Sequence, residues 1–193
     1  MKQTELERLQ EREHSSKLIY DGTVVHLYVD HVILPDGQKA VREYVKHIGA
    51  VAVLPLTAEH EVICVRQYRY AHRCLLTEIP AGKLDSKTED HREAALRELR
   101  EETGARCQSL TYLGVYRSTP AILDEVVDLY LAEGLTFGET DPDEDEFLEV
   151  ERIPLDVLVE RVMQGEITDG KTQVAVLKTA ELLRRRAAGK ESL

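Results

Sequence analysis

The stretch EIPAGKLDSKTEDHREAALRELREETGA, residues 78–105, decides how this chain is interpreted. It is acidic for its length and has few apolar side chains. Two interpretations compete: the carboxylates form a solvated helix face, or they gather around a bound cation. The spacing of the acidic residues and the sequence on either side distinguish the two. The glutamates concerned are Glu89, Glu93, Glu98, Glu101 and Glu102.

The second half of the stretch has the pattern of an amphipathic helix. Ser86 and Glu89 have the spacing of a capping box, which predicts a helix start at residues 86–88. Gly104 is a suitable left-handed residue for the C-terminal end. Apolar residues that fall close together are expected to form one buried stripe. The predicted stripe consists of Ala94, Ala95 and Leu99.

The acidic face of this helix needs a positive partner. Glu98 and Glu102 lie one turn apart on the same face, with Glu101 beside them. Like charges at this spacing repel one another unless a counterion lies close by. Arg97 and Arg100 could offset part of the repulsion, and the face would then be an ordinary solvated one.

The residues before the helix favour a bound metal ion. The sequence IPAG, residues 79–82, predicts a tight loop that points a backbone carbonyl, such as that of Ala81, toward the helix carboxylates. Mg²⁺ and Mn²⁺ prefer carboxylate and carbonyl oxygens, with waters and substrate phosphates completing the shell. A chain with a net charge of -11 needs such a local cation to act on phosphates.

The segment resembles the Nudix box, in which a glycine, five residues and a glutamate precede seven residues and Arg-Glu-apolar-x-Glu-Glu-x-Gly-apolar. The first half differs from this pattern, because six residues separate Gly82 from Glu89. The extra residue falls in the loop KLDSKT, where insertions are tolerated. The second half fits throughout. Its matching residues are Glu89, Arg97, Glu98, Leu99, Glu101, Glu102, Gly104 and Ala105.

Further segments are similar to the ADP-ribose pyrophosphatase branch of the Nudix hydrolases. They are QYRYAH, STPAILDE, DPDEDEFLEV and the N-terminal hairpin, and the resemblance covers about residues 18–182. Pro120, sixteen residues after Gly104, matches a proline characteristic of that branch. The resemblance implies Mg²⁺-dependent hydrolysis of ADP-ribose to AMP and ribose 5-phosphate, with Mn²⁺ as an alternative cation. It also implies a homodimer that exchanges N-terminal strands.

The same resemblance implies a set of metal ligands. They are Glu98, Glu102, Glu146 and the carbonyl oxygen of Ala81. The first glutamate of the box, Glu89, is instead interpreted as a structural partner of Arg97 that holds loop and helix together.

Two glutamates are implied in catalysis. Glu101 would assist at the metal, and Glu144 in the acidic loop would act as general base on the attacking water. The loop DPDEDE taken alone is typical of a solvated acidic turn. Asp145 and Glu146 therefore remain alternatives for the base.

Substrate-binding residues follow from the same resemblance. Arg69 follows a predicted strand and could face the phosphates or the terminal ribose as a forked donor. Tyr28 or Tyr68 could stack on adenine, although an aromatic residue on a strand is more often part of the core. Each charged residue could equally belong to a surface ion pair. The predicted substrate contacts are Arg42, Glu43, Arg69 and Glu125.

The fold predicted for the chain is α/β, a Nudix-like α/β/α sandwich with a mixed sheet and an N-terminal antiparallel hairpin arm. Two long strands are expected before residue 47, joined by a turn at Asp36 and Gly37. GAVAVLPL is expected to be a strand covered on both faces, with EVICVRQYRY beside it in a central sheet. The predicted regions are residues 1–17 (charged tail), 18–47 (strand arm for dimerisation), 48–188 (Nudix hydrolase domain) and 189–193 (tail).

The charge and the cysteine content of the chain indicate which partners and which cellular compartment to expect. The excess of acidic residues disfavours binding to nucleic acid or an anionic membrane. Three scattered cysteines without a C-x-x-C pair argue against a disulfide framework and for a reducing compartment. No run approaches the roughly 20 apolar residues that cross a bilayer. We therefore expect a cytoplasmic protein.

Two other classes of function stay open at this level. The substrate could be a different nucleotide, such as a GDP-sugar, a dinucleotide or an oxidised nucleoside triphosphate, because the box does not determine the pocket. A non-catalytic ADP-ribose sensor is the alternative outside catalysis. Sensors of that kind commonly have eroded box glutamates, whereas all of them are present in this sequence.

Overall fold

The computed structural model describes residues 3–141 and 147–190, and it divides into two compact units. The first unit comprises residues 1–47 together with 119–125. The second comprises residues 48–118 and 126–193. Each unit is described by itself below. No helix in the described ranges has the length and apolar character needed to cross a membrane.

The N-terminal unit is built on a three-stranded antiparallel sheet. A short helix α1 (Gln3–Leu9) precedes strands β1 (Arg12–Asp21), β2 (His26–Ile33) and β3 (Lys39–Lys46), which pair in that order. The expected turn joins β2 and β3, with Gly37 at φ 87°. The prediction of two strands was one short, because β1 begins within the charged segment predicted to be a tail. Its pattern of charged residues hides the strand, since every residue of β1 is exposed.

The second unit contains a mixed four-stranded sheet. Strand β4 (Ala50–Pro55) pairs parallel with β10 (Val127–Glu133) and antiparallel with the short edge strand β7 (Ala81–Lys83). Strand β9 (Ser109–Tyr116) pairs antiparallel with the other side of β10. Every residue of β4 is buried, as its continuous apolar sequence predicted.

Alternate residues of β4 enter two different hydrophobic cores, because successive side chains of a strand point to opposite faces. Ala52 and Leu54 belong to the core that includes Leu158 and Val176 of the C-terminal helices. Val51 and Val53 belong to the core on the other face. Helices therefore cover both faces of the sheet, which confirms the predicted sandwich. The apolar residues of helix α2 in the second core are Ala94, Ala95 and Leu99, the predicted stripe.

A second sheet has the order β12, β5, β6. Its strands are β5 (Glu61–Arg69), β6 (Cys74–Glu78) and β12 (Leu148–Pro154). The expectation that β5 lies beside β4 in one central sheet was wrong. An isolated bridge joins Leu56, just after β4, to Val62 of β5. As strands, however, β4 pairs with β7 and β10, whereas β5 pairs with β6 and β12.

The remaining elements are two short strands and three helices. Strands β8 (Ala105–Arg106) and β11 (Thr136–Phe137) pair with each other. The helices are α2 (His91–Thr103), α3 (Leu155–Met163) and α4 (Gly170–Ala187).

The start of α2 differs from the predicted capping box. Asp90 is the N-cap, and its carboxylate accepts hydrogen bonds from the backbone N–H groups of Arg92 and Glu93. Glu89 instead accepts a hydrogen bond from the backbone N–H of Asp85, at 2.5 Å. The predicted C-terminal end is confirmed, because Gly104 lies at φ 66° and its N–H donates to the Arg100 carbonyl.

Candidate metal-binding and active site

The carboxylates of Glu98 and Glu102 lie on the buried side of α2. The two residues are only 8% and 5% exposed, although α2 has a strongly charged sequence. Glu101 lies between them at the helix edge and remains partly exposed. Buried carboxylates are rare unless they are paired or hold a metal ion. Their position on the inner face therefore excludes the interpretation of a simple solvated face.

Strand β7 passes directly beneath the Glu98 carboxylate. A Cβ atom added at Gly82 would lie 2.0 Å from Oε1 and 2.4 Å from Oε2 of Glu98. Real Cβ atoms never approach other atoms so closely. The glycine at this position therefore makes the space that the Glu98 carboxylate occupies.

The backbone of Ala81 faces the same place. Val53 donates its N–H to the Pro80 carbonyl and Leu84 donates to the Gly49 carbonyl, so these pairs are the hydrogen-bonded ones of the β4–β7 ladder. Ladder bonds alternate along an antiparallel pair, so the N–H and C=O of Ala81 point away from β4. Its N–H lies 3.4 Å from Oε1 of Glu102. The segment predicted as a tight loop is thus an edge strand that turns this carbonyl toward the helix.

Arg97 is the positive centre of the helix face. Its Nη1 contacts Oε1 of Glu98 at 2.6 Å and Oε2 of Glu101 at 3.2 Å. Burial acts against its charge, but Glu98 and Glu101 outweigh that effect and raise the pKa of Arg97 above its ordinary value. The guanidinium therefore supplies part of the positive charge that the acidic face needs.

The same guanidinium ties the preceding loop to the helix. Nε and Nη2 of Arg97 each lie 3.4 Å from Oε1 of Glu89, and Nη2 donates to the Lys83 carbonyl at 3.2 Å. These contacts agree with the structural partnership expected for Glu89 and Arg97. The loop that carries the extra residue between Gly82 and Glu89 is exposed over residues 85–88, so the insertion leaves the helix contacts in place.

The oxygen atoms at this place suit a hard divalent cation. Glu98, Glu102 and the Ala81 carbonyl supply the oxygen ligands that Mg²⁺ or Mn²⁺ prefers. Within residues 3–141 and 147–190, no three His, Cys, Asp or Glu side chains are already gathered as a metal group. Oε1 of Glu98 is paired with Arg97, so a cation that takes this oxygen has to displace the guanidinium. The donor set fits the cation, and substrate oxygens can complete its shell.

Arg69 belongs to a second charged cluster, which the sequence did not reveal. Its Nε and Nη2 donate to the two carboxylate oxygens of Glu78 at 2.6 and 2.7 Å. Lys171 Nζ also contacts Glu78, and it lies 3.0 Å from Oδ1 of Asp169. Lys171 is ninety-three residues from Glu78 in the chain. No local pattern could therefore have identified this contact.

The remaining predicted substrate contacts are in the N-terminal unit. Arg42 is paired with Glu11, its Nε lying 2.9 Å from Oε2 of that residue. Glu43 is exposed and, as the next residue on β3, points to the opposite face of the sheet. Nδ1 of His47 lies 3.7 Å from Oε1 of Glu125. The structure gives Arg42 the ion pair that was the alternative interpretation.

The two tyrosines considered for base stacking differ in environment. Tyr28 stacks on Tyr44 with ring centroids 5.8 Å apart, and Lys46 Nζ lies 3.9 Å from the Tyr28 centroid. Tyr68 is half exposed on β5. Base stacking on Tyr28 would therefore compete with the contacts that Tyr44 and Lys46 already make with its ring.

The predicted base Glu144 and the predicted ligand Glu146 lie outside the described residues, as does Asp145. The segment before them is held to α2, because the Asp141 N–H donates to the Glu101 carbonyl at 2.9 Å. Gly138 donates in the same way to the Gly104 carbonyl at 2.8 Å.

Residues 46–173 match the family model of the NUDIX domain. The chain therefore belongs to the Nudix family. A solved structure described as an ADP compounds hydrolase superposes with a TM-score of 0.80 and 21% identity, covering 95% of this chain and 98% of that one. That likeness shows the shared fold.

Individual relatives in this family are closely similar to the chain. It is 43% identical over 169 residues to the methanol dehydrogenase activator of Bacillus methanolicus, covering 86% of this chain and 91% of that protein. It is 42% identical over 173 residues to the ADP-ribose pyrophosphatase of Bacillus subtilis, covering 89% and 93%. The ADP-ribose pyrophosphatase of Mycobacterium tuberculosis is 34% identical, covering 84% and 80%.

Proposed function

We propose that this chain is a Nudix pyrophosphatase that hydrolyses ADP-ribose to AMP and ribose 5-phosphate. The observation that carries the proposal is the meeting of Glu98, Glu102 and the backbone of Ala81 beneath the Nudix helix. Two relatives at 42% and 34% identity are ADP-ribose pyrophosphatases, which supports the choice of substrate.

The cofactor proposed is Mg²⁺, with Mn²⁺ as an alternative. Glu98, Glu102, the Ala81 carbonyl and Glu146 would hold it. When bound, such a cation neutralises the diphosphate and makes water a better nucleophile. Arg97 limits the repulsion between the box carboxylates, and Gly82 leaves room for Glu98. Both residues therefore hold the carboxylates of α2 in place in the absence of a ligand.

In the proposed reaction, water adds to a phosphorus atom of the diphosphate and the bridging P–O bond breaks. Glu144 accepts a proton from that water, and Glu101 assists beside the ligands. Arg69 donates hydrogen bonds to the sugar–phosphate half of the substrate. Cleavage of a diphosphate depends mainly on such positioning and charge neutralisation.

A homodimer is proposed, with Arg42, Glu43 and Glu125 contacting substrate from the N-terminal unit. Its three-stranded sheet exposes apolar side chains on β1, including Leu18, Ile19 and Tyr20. An exposed sheet of three strands gains stability when its apolar side chains are covered. A second copy of the chain would cover them. A cytoplasmic location is proposed because Cys64, Cys74 and Cys107 are all free thiols.

A GDP-sugar is the second candidate substrate. The chain is 33% identical over 147 residues to a GDP-mannose pyrophosphatase of Klebsiella pneumoniae. The metal site serves any nucleoside diphosphate sugar, so the base and the sugar decide between the two. A panel containing ADP-ribose, GDP-mannose and a dinucleotide, with Mg²⁺ or Mn²⁺ and with products identified, distinguishes them.

The decisive measurement is the steady-state hydrolysis of ADP-ribose with products resolved as AMP and ribose 5-phosphate. Glu102→Gln should lower kcat/KM by at least about 100-fold, since it removes a charged ligand. The exposed Glu93→Gln on the same helix is the matched control and should keep full activity. Absence of hydrolysis by the wild-type chain, or full activity in Glu102→Gln, would refute the proposal.

The role of Glu144 is tested separately. Glu144→Gln should lower kcat strongly while the half-saturating Mg²⁺ concentration changes little, because a base acts on water and does not hold the metal. Wild-type kcat in this variant would remove Glu144 from the mechanism. Asp145→Asn and Glu146→Gln then identify the base among the alternatives.

A further inference from the structure

A buried ionised carboxylate lies at the end of strand β6, outside the metal site. Glu78 is only 1% exposed, yet its carboxylate contacts Arg69 and Lys171. Burying such a charge is costly, and an apolar residue of similar volume often stabilises a fold as well or better. The cluster is therefore better explained by geometry than by stability.

The contacts of Glu78 fix the direction of the Arg69 guanidinium. Both oxygens of the carboxylate are used, by Nε and Nη2 of Arg69 at 2.6 and 2.7 Å. A bidentate pair of this kind restrains the guanidinium plane as well as its position. Nη1 takes no part in the pair. Arg69 is consequently held by one edge, while its remaining N–H groups can serve a ligand.

Lys171 connects this pair to helix α4. It lies on the first turn of the helix, and it contacts both Glu78 and Asp169, which is the N-cap of α4. Asp169 accepts hydrogen bonds from Thr172, whose Oγ in turn accepts the N–H of Ile79 at 2.9 Å. The end of β6 is thus anchored to the start of α4 by two separate contacts.

A cavity of about 380 Å³ opens beside this cluster. Its lining includes Arg69, Tyr70, His72, Glu78, Asp169 and Lys171. Its volume is in the range of small-molecule sites. The charges of the two cations, Arg69 and Lys171, balance those of the two carboxylates. Because the Glu78 pair uses only Nε and Nη2 of Arg69, the other N–H groups can donate to a polar ligand without breaking the pair.

We propose that Glu78, together with Lys171, is a positioning residue that holds Arg69 in the orientation required to bind the oxygen-rich sugar–phosphate half of the substrate. The inference rests on the proposed function, which makes Arg69 a substrate contact. Burial acts to raise the pKa of Glu78, but Arg69 and Lys171 outweigh it and lower that pKa to about 2. The carboxylate therefore remains charged at neutral pH, as the role demands.

The test is a comparison of KM, kcat and Mg²⁺ requirement in the full-length chain. Glu78→Gln should raise KM for ADP-ribose by about tenfold or more, the loss expected for a charged hydrogen bond. Its kcat and its half-saturating Mg²⁺ concentration should change less than about twofold, because uniform substrate binding is lost and the metal site is untouched. Glu181→Gln removes the exposed partner of Arg184 and Arg185 and should keep wild-type kinetics.

A second comparison separates positioning from a general structural role. In an Arg69→Ala background, Glu78→Gln should raise KM by less than about twofold, because its effect passes through Arg69. If Glu78→Gln does not fold, Glu78→Asp replaces it with the same expected KM, since it keeps the charge but retracts the carboxylate. Thermal unfolding of each variant establishes that it is folded at the assay temperature.

The outcomes distinguish this inference from the function on which it rests. A wild-type chain inactive on ADP-ribose would overturn both. An active wild type with an unchanged KM in Glu78→Gln would overturn the positioning role alone. A KM effect that persists in full without Arg69, or a matching fall in kcat and Mg²⁺ affinity, would also overturn it.

Discussion

The carboxylate of Glu98 occupies the place where a side chain at Gly82 would begin, with Oε1 2.0 Å from the position of a Cβ atom. Gly82 on strand β7 and Glu98 on helix α2 are sixteen residues apart in the chain. Because glycine has no side chain, the strand and the helix can pack closely at this point. Gly82 has no need of a positive φ. Its role is therefore to leave space for the acidic group, and not to form a turn.

Gly82→Ala should reduce activity with little loss of stability. The three atoms nearest to the added methyl group all belong to the end of the Glu98 side chain, so a shift of that carboxylate can accommodate the methyl group while the fold is kept. A displaced ligand should lower kcat/KM by about 10- to 100-fold and raise the half-saturating Mg²⁺ concentration. Kinetics and thermal unfolding measure the two effects. Gly138→Ala is the control, because its Cβ would meet a single atom at an ordinary 3.7 Å; equal activity in both variants would contradict this account.

Thr172→Val should destabilise the protein, whereas Thr179→Val should not. The Thr172 hydroxyl accepts the buried N–H of Ile79, and its loss leaves that donor unpaired at a cost of about 1–3 kcal/mol. Thr179 is also fully buried, but its Oγ has no hydrogen-bond partner among residues 3–141 and 147–190. Urea unfolding compares the two isosteric changes. Equal losses would show that the Thr172 contact adds nothing.

Stability should depend on pH through Glu78. The pKa of this carboxyl is lowered from 4.5 to about 2 in the folded chain. The stabilisation that comes from a lowered pKa is fully present above the pKa of the unfolded state. It is lost as the pH falls from about 4.5 toward about 2. The full effect is on the order of 3 kcal/mol. The difference in unfolding free energy between wild type and Glu78→Gln should therefore shrink between pH 5 and pH 3, as measured by urea unfolding.

An exposed carboxylate provides the comparison for that pH effect. Hydrogen bonds from Arg184 and Arg185 also lower the pKa of Glu181 to about 2. This group is on the surface, where solvent and salt screen the ion pairs. Glu181→Gln should consequently change the pH profile of unfolding far less than Glu78→Gln does. If the two substitutions changed the pH dependence of the unfolding free energy equally, burial would not be what strengthens the Glu78 cluster.

Ile19→Asp should weaken self-association of the chain. Ile19 is half exposed on β1, in the apolar surface that we propose a second copy covers. A buried unpaired carboxylate at such an interface is strongly unfavourable. Light scattering should show a dimer for the wild type and a shift toward monomer for the variant. Val157→Asp, a similarly exposed apolar position on α3, should remain dimeric, and a fully active wild-type monomer would contradict the proposal.

Much of the site could be predicted because its signals are local. The spacing of Glu98 and Glu102 places both on one helix face whatever the rest of the chain does. Leu99 was identified as buried for the same reason, and it is fully buried. Gly104 was identified as the helix end because few other residues accept a left-handed backbone.

Other predictions failed where one sequence pattern suited two structures. Ser86 and Glu89 have capping-box spacing, but Asp90 caps the helix and Glu89 turns to Asp85. The charged sequence of β1 resembles a tail, because a strand exposed throughout needs no apolar alternation. Neither error could be removed by a closer reading of the local sequence.

The sequence by itself determined the acidic helix, its buried stripe and the family to which the chain belongs, since each depends on residues a few positions apart. Only the tertiary structure decided which strands of the second unit pair, and that Arg69 and Lys171 share Glu78. Contacts between distant residues depend on how the chain is packed, because many arrangements satisfy the same local preferences. The Gly82–Glu98 contact depends on both. The box pattern identifies the two residues, but only the packing of β7 against α2 shows that the glycine leaves space for the Glu98 carboxylate.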